Sequence, residues 1–206
     1  MVLFTAEHGN REMSKKHARE GIGRCWTEMR PKPLSGEPWI FDNGAYLDWV
    51  RDKEFNDTAY WKRLWRAYAV GRPYFAVVPD IVAEGKKSLE YSMWWIERLP
   101  PSWSWYLAIQ DDMDMAEVKA VIKWYDGFFL GGSNDFKQEA GRWCDLAHSK
   151  GLKFHYARCG TRKRIAHAKR IGADSIDSAG CLQSPQRYQE VMDAFYETHE
   201  QLEIAV

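Results

Sequence analysis

Short apolar runs recur along this chain, and they end at polar residues or at a pair of glycines. Five of the runs lead into Asp42-Asn43-Gly44, Pro79-Asp80, Gln110-Asp111, Gly131-Gly132-Ser133 and Asp177-Ser178. In a parallel α/β barrel the carboxyl ends of the strands meet at one mouth, where such proteins place their chemistry. If these runs are strands of one barrel, three carboxylates, an amide and a glycine pair face a common pocket.

Helical patterns alternate with these runs. Apolar spacing and capping residues predict helices over 11–20, 57–70, 85–98, 114–124, 135–149, 161–171 and 185–201. The alternation predicts an α/β fold, a compact TIM-like (β/α) barrel. Seven strands are clear, among them 74–78, 105–109 and 127–130, and the eighth is expected within the Gly- and Pro-rich segment 21–38 unless the barrel has one degraded strand. An open, doubly wound sheet is the alternative architecture.

The composition is that of an ordinary globular chain, with 45% hydrophobic and 28% charged residues, and we expect one domain over residues 1–206. The formal net charge is zero, so any contact with nucleic acid must come from a local patch. Eleven tryptophans are expected mainly to fill the space between barrel and helices, with base or sugar stacking as the alternative.

The four cysteines, at positions 25, 144, 159 and 181, lack the paired spacing of a zinc site. We therefore expect free thiols and no bound metal. The sequence contains no signal peptide pattern and no apolar run near the roughly 20 residues that cross a bilayer, so a cytoplasmic protein is expected.

The strand-end carboxylates suggest two kinds of chemistry. They can hydrogen-bond a nitrogen-rich heterocycle, or they can act as nucleophile and acid–base at an anomeric carbon. Asp and Gln suit the edge of guanine, and a glycine pair lets backbone N–H groups approach its carbonyl. A single strand-end Asp is more often a helix cap or turn residue. The recurrence of polar strand ends in successive βα units favours a site.

The order of these motifs resembles the tRNA-guanine transglycosylase superfamily, and within it the DpdA-type branch that inserts 7-deazaguanine bases into DNA. The similarity spans roughly residues 38–182. It is carried by Phe41-Asp42-Asn43-Gly44-Ala45-Tyr46, Val78-Pro79-Asp80, Ala108-Ile109-Gln110, Leu130-Gly131-Gly132-Ser133 and Gly172-Ala173-Asp174-Ser175-Ile176-Asp177-Ser178, with His155-Tyr156-Ala157-Arg158-Cys159-Gly160 between the last two.

The resemblance implies a role for each strand-end residue. Asp177 would be the nucleophile that forms a covalent sugar ester, and Asp42 the general acid/base. Asp80, Gln110, Gly131, Gly132 and His155 would hold the base. The implied enzyme is a glycosyltransferase that needs no cofactor, replaces guanine in DNA and takes a free 7-deazaguanine base as its second substrate.

The sequence also departs from that family. It has no cysteine-rich zinc subdomain after Asp177, and Ala45 stands where the family has a second glycine. Two other functions stay open from the residues alone. One is a carboxylate-based N-glycoside hydrolase acting on a nucleotide or nucleoside, and the other is a base-binding protein without turnover.

A basic segment follows the predicted sixth clear strand. Its residues Arg158, Arg162, Lys163 and Arg164 lie at a strand end and a helix N-terminus, where backbone amides also attract anions. They are predicted to contact the phosphates of a nucleic acid, and the alternative is a solvated helix face.

Overall fold

The protein is described by a computed structural model that covers residues 1–6, 8, 10–27 and 32–197. Eight strands run parallel to their neighbours, and β8 pairs with β1 to close the barrel. The strands are β1 Val2–Thr5, β2 Gly23–Trp26, β3 Trp39–Phe41, β4 Ala76–Val77, β5 Trp105–Ile109, β6 Gly127–Leu130, β7 Lys153–Tyr156 and β8 Ser175–Ser178. The predicted barrel is therefore confirmed, and the open doubly wound sheet is not the architecture.

Helices follow the strands and surround the barrel. They are α1 Arg11–Arg19, α2 Ala45–Val50, α3 Asp57–Tyr68, α4 Gly85–Ile96, α5 Met115–Val121, α6 Ala140–Ser149, α7 Arg162–Arg170 and α8 Pro185–Tyr196. Short 3₁₀ turns lie at Ile122–Trp124, Phe136–Glu139 and Ala179–Leu182. Side chains of Asn10, Asn56, Asp114, Thr161 and Ser184 accept hydrogen bonds from the first turns of their helices, which explains where these helices begin.

The eighth strand is β2, and it lies within the Gly- and Pro-rich segment 21–38, where the eighth strand was expected. Its residues alternate between the barrel interior and the helix layer, and Arg24 points into the helix layer. That guanidinium is fully buried and pairs with Glu37 at 3.0 Å. A buried arginine interrupts the apolar pattern of a strand, so hydrophobic periodicity could not reveal β2.

Alternation along the strands separates two apolar layers. The barrel interior holds Phe4, Ile40, Phe75, Val77, Tyr106 and Ala108. The rings of Phe75 and Tyr106 are stacked with their centres 4.0 Å apart. Six of the eleven tryptophans belong to the larger layer between strands and helices, which agrees with their predicted packing role. The aromatic interior fills the barrel below its mouth, so a ligand could enter only at the upper, carboxyl end of the strands.

Two local predictions need correction. Helix α2 was not predicted, because it is only six residues long and begins after Gly44 without a side-chain cap. Strand β4 is shorter than the predicted 74–78, and part of the predicted helix 185–201 lies outside the described residues. In the part of the chain that the structure describes, no helix is long and apolar enough to span a membrane.

Candidate active site

Polar side chains occupy the upper end of the barrel interior. On β8, Ser175 and Asp177 share the inward face, because residues two apart in a strand point the same way. His155 of β7 lies between them: its Nδ1 is 2.8 Å from the Ser175 hydroxyl and its Nε2 is 3.0 Å from Asp177 Oδ1. The three side chains form a continuous hydrogen-bonded row from the aromatic interior to the mouth.

Asp177 is held as an anion. Burial by itself would raise the pKa of its carboxyl group, but the His155 hydrogen bond, the Arg158 backbone N–H and the charge of Lys137 outweigh burial and lower the pKa. The Arg158 N–H donates to Oδ1 at 3.0 Å. Burial lowers the pKa of His155, so a neutral ring donates from Nε2 to Asp177 and accepts at Nδ1 from Ser175.

Asp42 lies within electrostatic reach of Asp177, but its carboxyl group behaves differently. Burial raises its pKa, the Gly44 N–H partly offsets this at 2.7 Å, and the negative charge of Asp177 raises the pKa further. The Cys25 thiol lies 3.8 Å from Asp42 Oδ2. Asp42 thus carries a proton more readily than an ordinary aspartate, beside a carboxylate that does not.

Asp80 is the third carboxyl group of the mouth, and it forms a network with two amides. Asn43 donates to its Oδ1 at 2.6 Å, and Gln110 donates to its Oδ2. Burial raises the pKa of Asp80 to about 7, with Asn43 opposing the shift and Asp42 adding to it. Because these amides already occupy the carboxylate, a polar ligand must replace part of the network when it binds.

The two predicted glycines play unequal parts. The Gly131 N–H donates to the Ile109 carbonyl at 2.9 Å, so it is already used in strand pairing and not offered to a ligand. Gly132 has a φ of +71°, and a Cβ there would come within 2.5 Å of the Phe136 ring. A glycine is therefore required at 132 for the turn itself.

The residues of the predicted basic segment lie in two different places. Arg158 reaches the mouth: its guanidinium donates to the Gly132 carbonyl and lies 4.7 Å from the centre of the Tyr46 ring. Arg162 pairs with Glu197 at 2.5 Å, and Arg164 donates to Asn134 at 2.5 Å. Lys163 is exposed at the start of α7. The structure brings Arg158 into the site and leaves the other three around the first turn of α7.

Several residues of the mouth were missed by the sequence reading. They are Cys25, Asn43, Tyr46 and Lys137. Tyr46 follows Asp42 closely in the chain and could have been found had α2 been predicted, whereas Lys137 lies in a 3₁₀ turn whose contacts depend on tertiary packing. Among the described residues, no group of three or more His, Cys, Asp or Glu side chains is placed to hold a metal ion.

Comparison with known proteins supports the architecture and not a family. No family model matches this chain, and neither does any curated protein. Its fold is similar to a 3-hexulose-6-phosphate synthase from Salmonella typhimurium, with a TM-score of 0.53 and 9% identity over 100% of this chain and 99% of that one. The fold is a TIM barrel. A phosphoribosyl anthranilate isomerase from Thermococcus kodakaraensis has a TM-score of 0.54 and 10% identity, over 96% of this barrel and 99% of its own chain.

A structure described as native KDPGal is also similar, with a TM-score of 0.55 and 12% identity over 100% of the barrel and 97% of that chain. These neighbours belong to families other than the tRNA-guanine transglycosylases, so the assignment to that superfamily is wrong. The physical reason is that TIM barrels of many families place the polar residues of their sites at the carboxyl ends of the strands. The order of the strand-end motifs identified the architecture, which unrelated families share.

Proposed function

We propose that the mouth of the barrel is an active site that cleaves the N-glycosidic bond of a nucleoside or nucleotide. The observation that carries the proposal is the different hydrogen bonding of two neighbouring carboxyl groups. Asp177 accepts from the His155 ring and from the Arg158 N–H, each at 3.0 Å, whereas Asp42 accepts from the Gly44 N–H at 2.7 Å. In agreement with this geometry, the pKa is lowered at Asp177 and raised at Asp42. Such a division within one site separates a nucleophile from an acid/base. The proposal is independent of the rejected family assignment.

The reaction proceeds in two displacements. A carboxylate oxygen of Asp177 attacks C1′ of the sugar, the C1′–N bond breaks, and its electron pair passes to the leaving base, which takes the proton carried by Asp42. The product is a sugar ester of Asp177. In the second step Asp42, now ionised, takes a proton from the incoming acceptor, which attacks C1′ and releases Asp177.

Recognition of the base falls to the Asp80 network. Asp80 and Gln110 offer a carboxylate and an amide to the N–H and carbonyl groups of a purine edge. Tyr46 and the Arg158 guanidinium form the rim beside them, at 4.7 Å from each other. The neutral His155 ring contacts Asp177 rather than this edge, so we assign it to the nucleophile and not to the base.

The acceptor decides whether the reaction is hydrolysis or base exchange. Water as acceptor gives an N-glycoside hydrolase, and a free base gives a transglycosylase. DNA as donor and a free 7-deazaguanine base as acceptor stay predictions and are the first pair to test. A duplex donor would have to flip its target nucleotide out, at a cost of a few kcal/mol.

The test uses guanosine, GMP and a guanine-containing DNA oligonucleotide, each with and without a free deazaguanine base. Released guanine is measured by chromatography, and the sugar ester by intact mass. Asp177→Asn should lower guanine release by several orders of magnitude, because an amide cannot serve as the anionic nucleophile. Asp145→Asn, an exposed aspartate on α6, is the matched control and should keep wild-type rates.

Three outcomes separate the alternatives. Guanine release without incorporated base indicates hydrolysis, and incorporated base indicates exchange. Base binding without release or adduct in the wild type would favour a binding protein. Wild-type release in Asp177→Asn would overturn the mechanism.

A further inference from the structure

A buried lysine lies behind the proposed nucleophile. Lys137 belongs to the 3₁₀ turn Phe136–Glu139 after β6, and only 2% of its surface is exposed. Its Nζ donates a hydrogen bond to the Ala157 carbonyl and lies 5.2 Å from the centre of the Tyr156 ring. Burying an ammonium group costs free energy unless polar groups around it compensate for the lost water. The contacts of Lys137 therefore need an explanation.

One peptide group connects this lysine to Asp177. The Ala157 carbonyl that accepts from Lys137 and the Arg158 N–H that donates to Asp177 Oδ1 at 3.0 Å belong to the same amide. A positive charge at the carbonyl oxygen polarises the amide and strengthens its N–H as a donor, as in other hydrogen-bonded chains. The charge of Lys137 thereby reaches the carboxylate without direct contact.

The backbone at this amide is strained. Arg158 has a φ of +55°, a left-handed conformation that non-glycine residues rarely adopt. Such conformations persist when surrounding contacts enforce them. Here the contacts are the Arg158 N–H to Asp177, its guanidinium to the Gly132 carbonyl, and its own carbonyl, which accepts from Arg164 at 3.4 Å.

We propose that Lys137 is a positioning residue for Asp177, acting through the amide between Ala157 and Arg158. It keeps the strained amide turned so that its N–H faces the carboxylate, and its charge favours the ionised form of Asp177. The role in catalysis rests on the proposed function, whereas the coupling of the two side chains does not.

The surroundings of Lys137 make this coupling sensitive to pH. Burial lowers the pKa of its ammonium group to about 7, and the positive charges of Arg158 and Arg164 lower it as well, while Asp177 and Cys159 oppose the shift. The ammonium is therefore charged below pH 7 and loses its proton as the pH rises through that value. The coupling should be strong in mildly acidic solution and weak above neutrality.

Amide NMR of ¹⁵N-labelled protein tests the coupling without any substrate. In the wild type, the Arg158 amide proton should shift with an inflection near the lysine pKa. In Lys137→Met, which keeps an unbranched side chain of similar length, the inflection should vanish and the signal should move upfield as its hydrogen bond weakens. Asp80→Asn should retain the inflection, which separates Lys137 from the other group with a pKa of about 7.

Kinetics then test the role of this coupling in catalysis. Lys137→Met should lower kcat by about 10- to 100-fold, the range expected for weakening one hydrogen bond to a charged group. The acidic limb of the kcat/KM profile should move to higher pH, because Asp177 becomes easier to protonate. A purely structural role would not move that limb. The control is Lys150→Met, which replaces an exposed lysine at the end of α6. It should leave kcat and the acidic limb of the kcat/KM profile unchanged.

The outcomes distinguish the two proposals. An unchanged Arg158 signal in folded Lys137→Met, or a wild-type signal without an inflection, would overturn the coupling, and the wild-type titration needs no substitution to fold. An altered signal in a protein that cleaves no glycoside would support the coupling and contradict the proposed function.

Discussion

Single residues set the chemistry of the mouth through burial and hydrogen bonding. Asp42, Asp80 and Asp177 are the same amino acid at the ends of similar strands, and their pKa values diverge because their partners differ. Asp177 receives an N–H from His155 and another from Arg158, whereas burial prevails at the other two. The hydrogen-bond partners of each carboxyl group, and not the residue type, therefore determine the direction of its pKa shift.

Asp80 should reduce the stability of the fold at neutral pH. Its pKa is raised to about 7 in the folded protein and is near 3.8 otherwise, so folding favours the protonated form. The contribution of Asp80 to the free energy of unfolding should fall as the pH rises from about 4 to 7, since ionisation then costs more in the folded state. In urea unfolding, the stability of Asp80→Asn relative to the wild type should therefore increase between pH 4 and 7 and reach a gain of about 1 kcal/mol or more at pH 8.

The same substitution should weaken binding of the purine by about tenfold or more, because the edge loses its anionic acceptor. Isothermal titration with guanosine measures this. Gain of stability together with unchanged affinity would show that Asp80 has no part in base recognition.

At the scale of elements, the structure explains which segments the sequence could predict. Strands β5 and β6 are uninterrupted apolar runs, and the predicted limits 105–109 and 127–130 agree with the structure. Strand β2 carries Arg24, whose buried pairing with Glu37 depends on the folded chain. Helix α2 is a single short segment that follows a left-handed Gly44. Hydrophobic periodicity therefore predicts strands such as β5 and β6, but it does not predict β2 or α2.

Helix α1 shows how one side chain can limit the stability of an element. His17 is buried and stacks on Tyr188 of α8, with the ring centres 5.6 Å apart. Neither of its nitrogens has a hydrogen-bond partner among the described residues. Burial first, and then the positive charges of His8, Lys16 and Arg24, lower its pKa to about 4.

Acid should therefore loosen α1. A lowered pKa means that folding favours neutral His17, so this contribution is complete above pH 6.5 and is lost as the pH falls toward 4. His17→Phe keeps the stacking, removes the unpartnered nitrogens and should stabilise the protein by about 1 kcal/mol. In urea unfolding between pH 4 and 7, the stability of the variant relative to the wild type should increase as the pH falls. An equal slope in both proteins would contradict this account of α1.

At the scale of the whole molecule, the sequence predicted the barrel and the strand-end residues of the mouth but not the family. Asp42, Asp80 and Asp177 could be placed together because parallel strands bring their carboxyl ends to one face. Lys137 could not, since its contact with Ala157 joins two loops. The family assignment failed because strand-end polarity is a property of the architecture.

The absence of net charge bears on the choice of substrate. Formal charge is zero, and Arg162 already pairs with Glu197, so affinity for nucleic acid must arise from few contacts. If DNA is the donor, replacing Arg162, Lys163 and Arg164 with Ala should flatten the slope of log affinity against log salt by up to about three units, near one for each lost phosphate contact. Fluorescence anisotropy with a labelled oligonucleotide measures the slope. An unchanged slope would identify the segment as a solvated helix face.

Closure of the barrel also determines when the carboxyl groups of the mouth come together during synthesis. Asp177 lies beside Phe4 in the pairing of β8 with β1, the two strands farthest apart in the chain. On a ribosome Asp42 emerges early, but Asp177 emerges only after seven strands have been made. Contacts between such distant segments form slowly during folding. The growing chain therefore lacks the assembled carboxyl groups of the mouth until β8 pairs with β1.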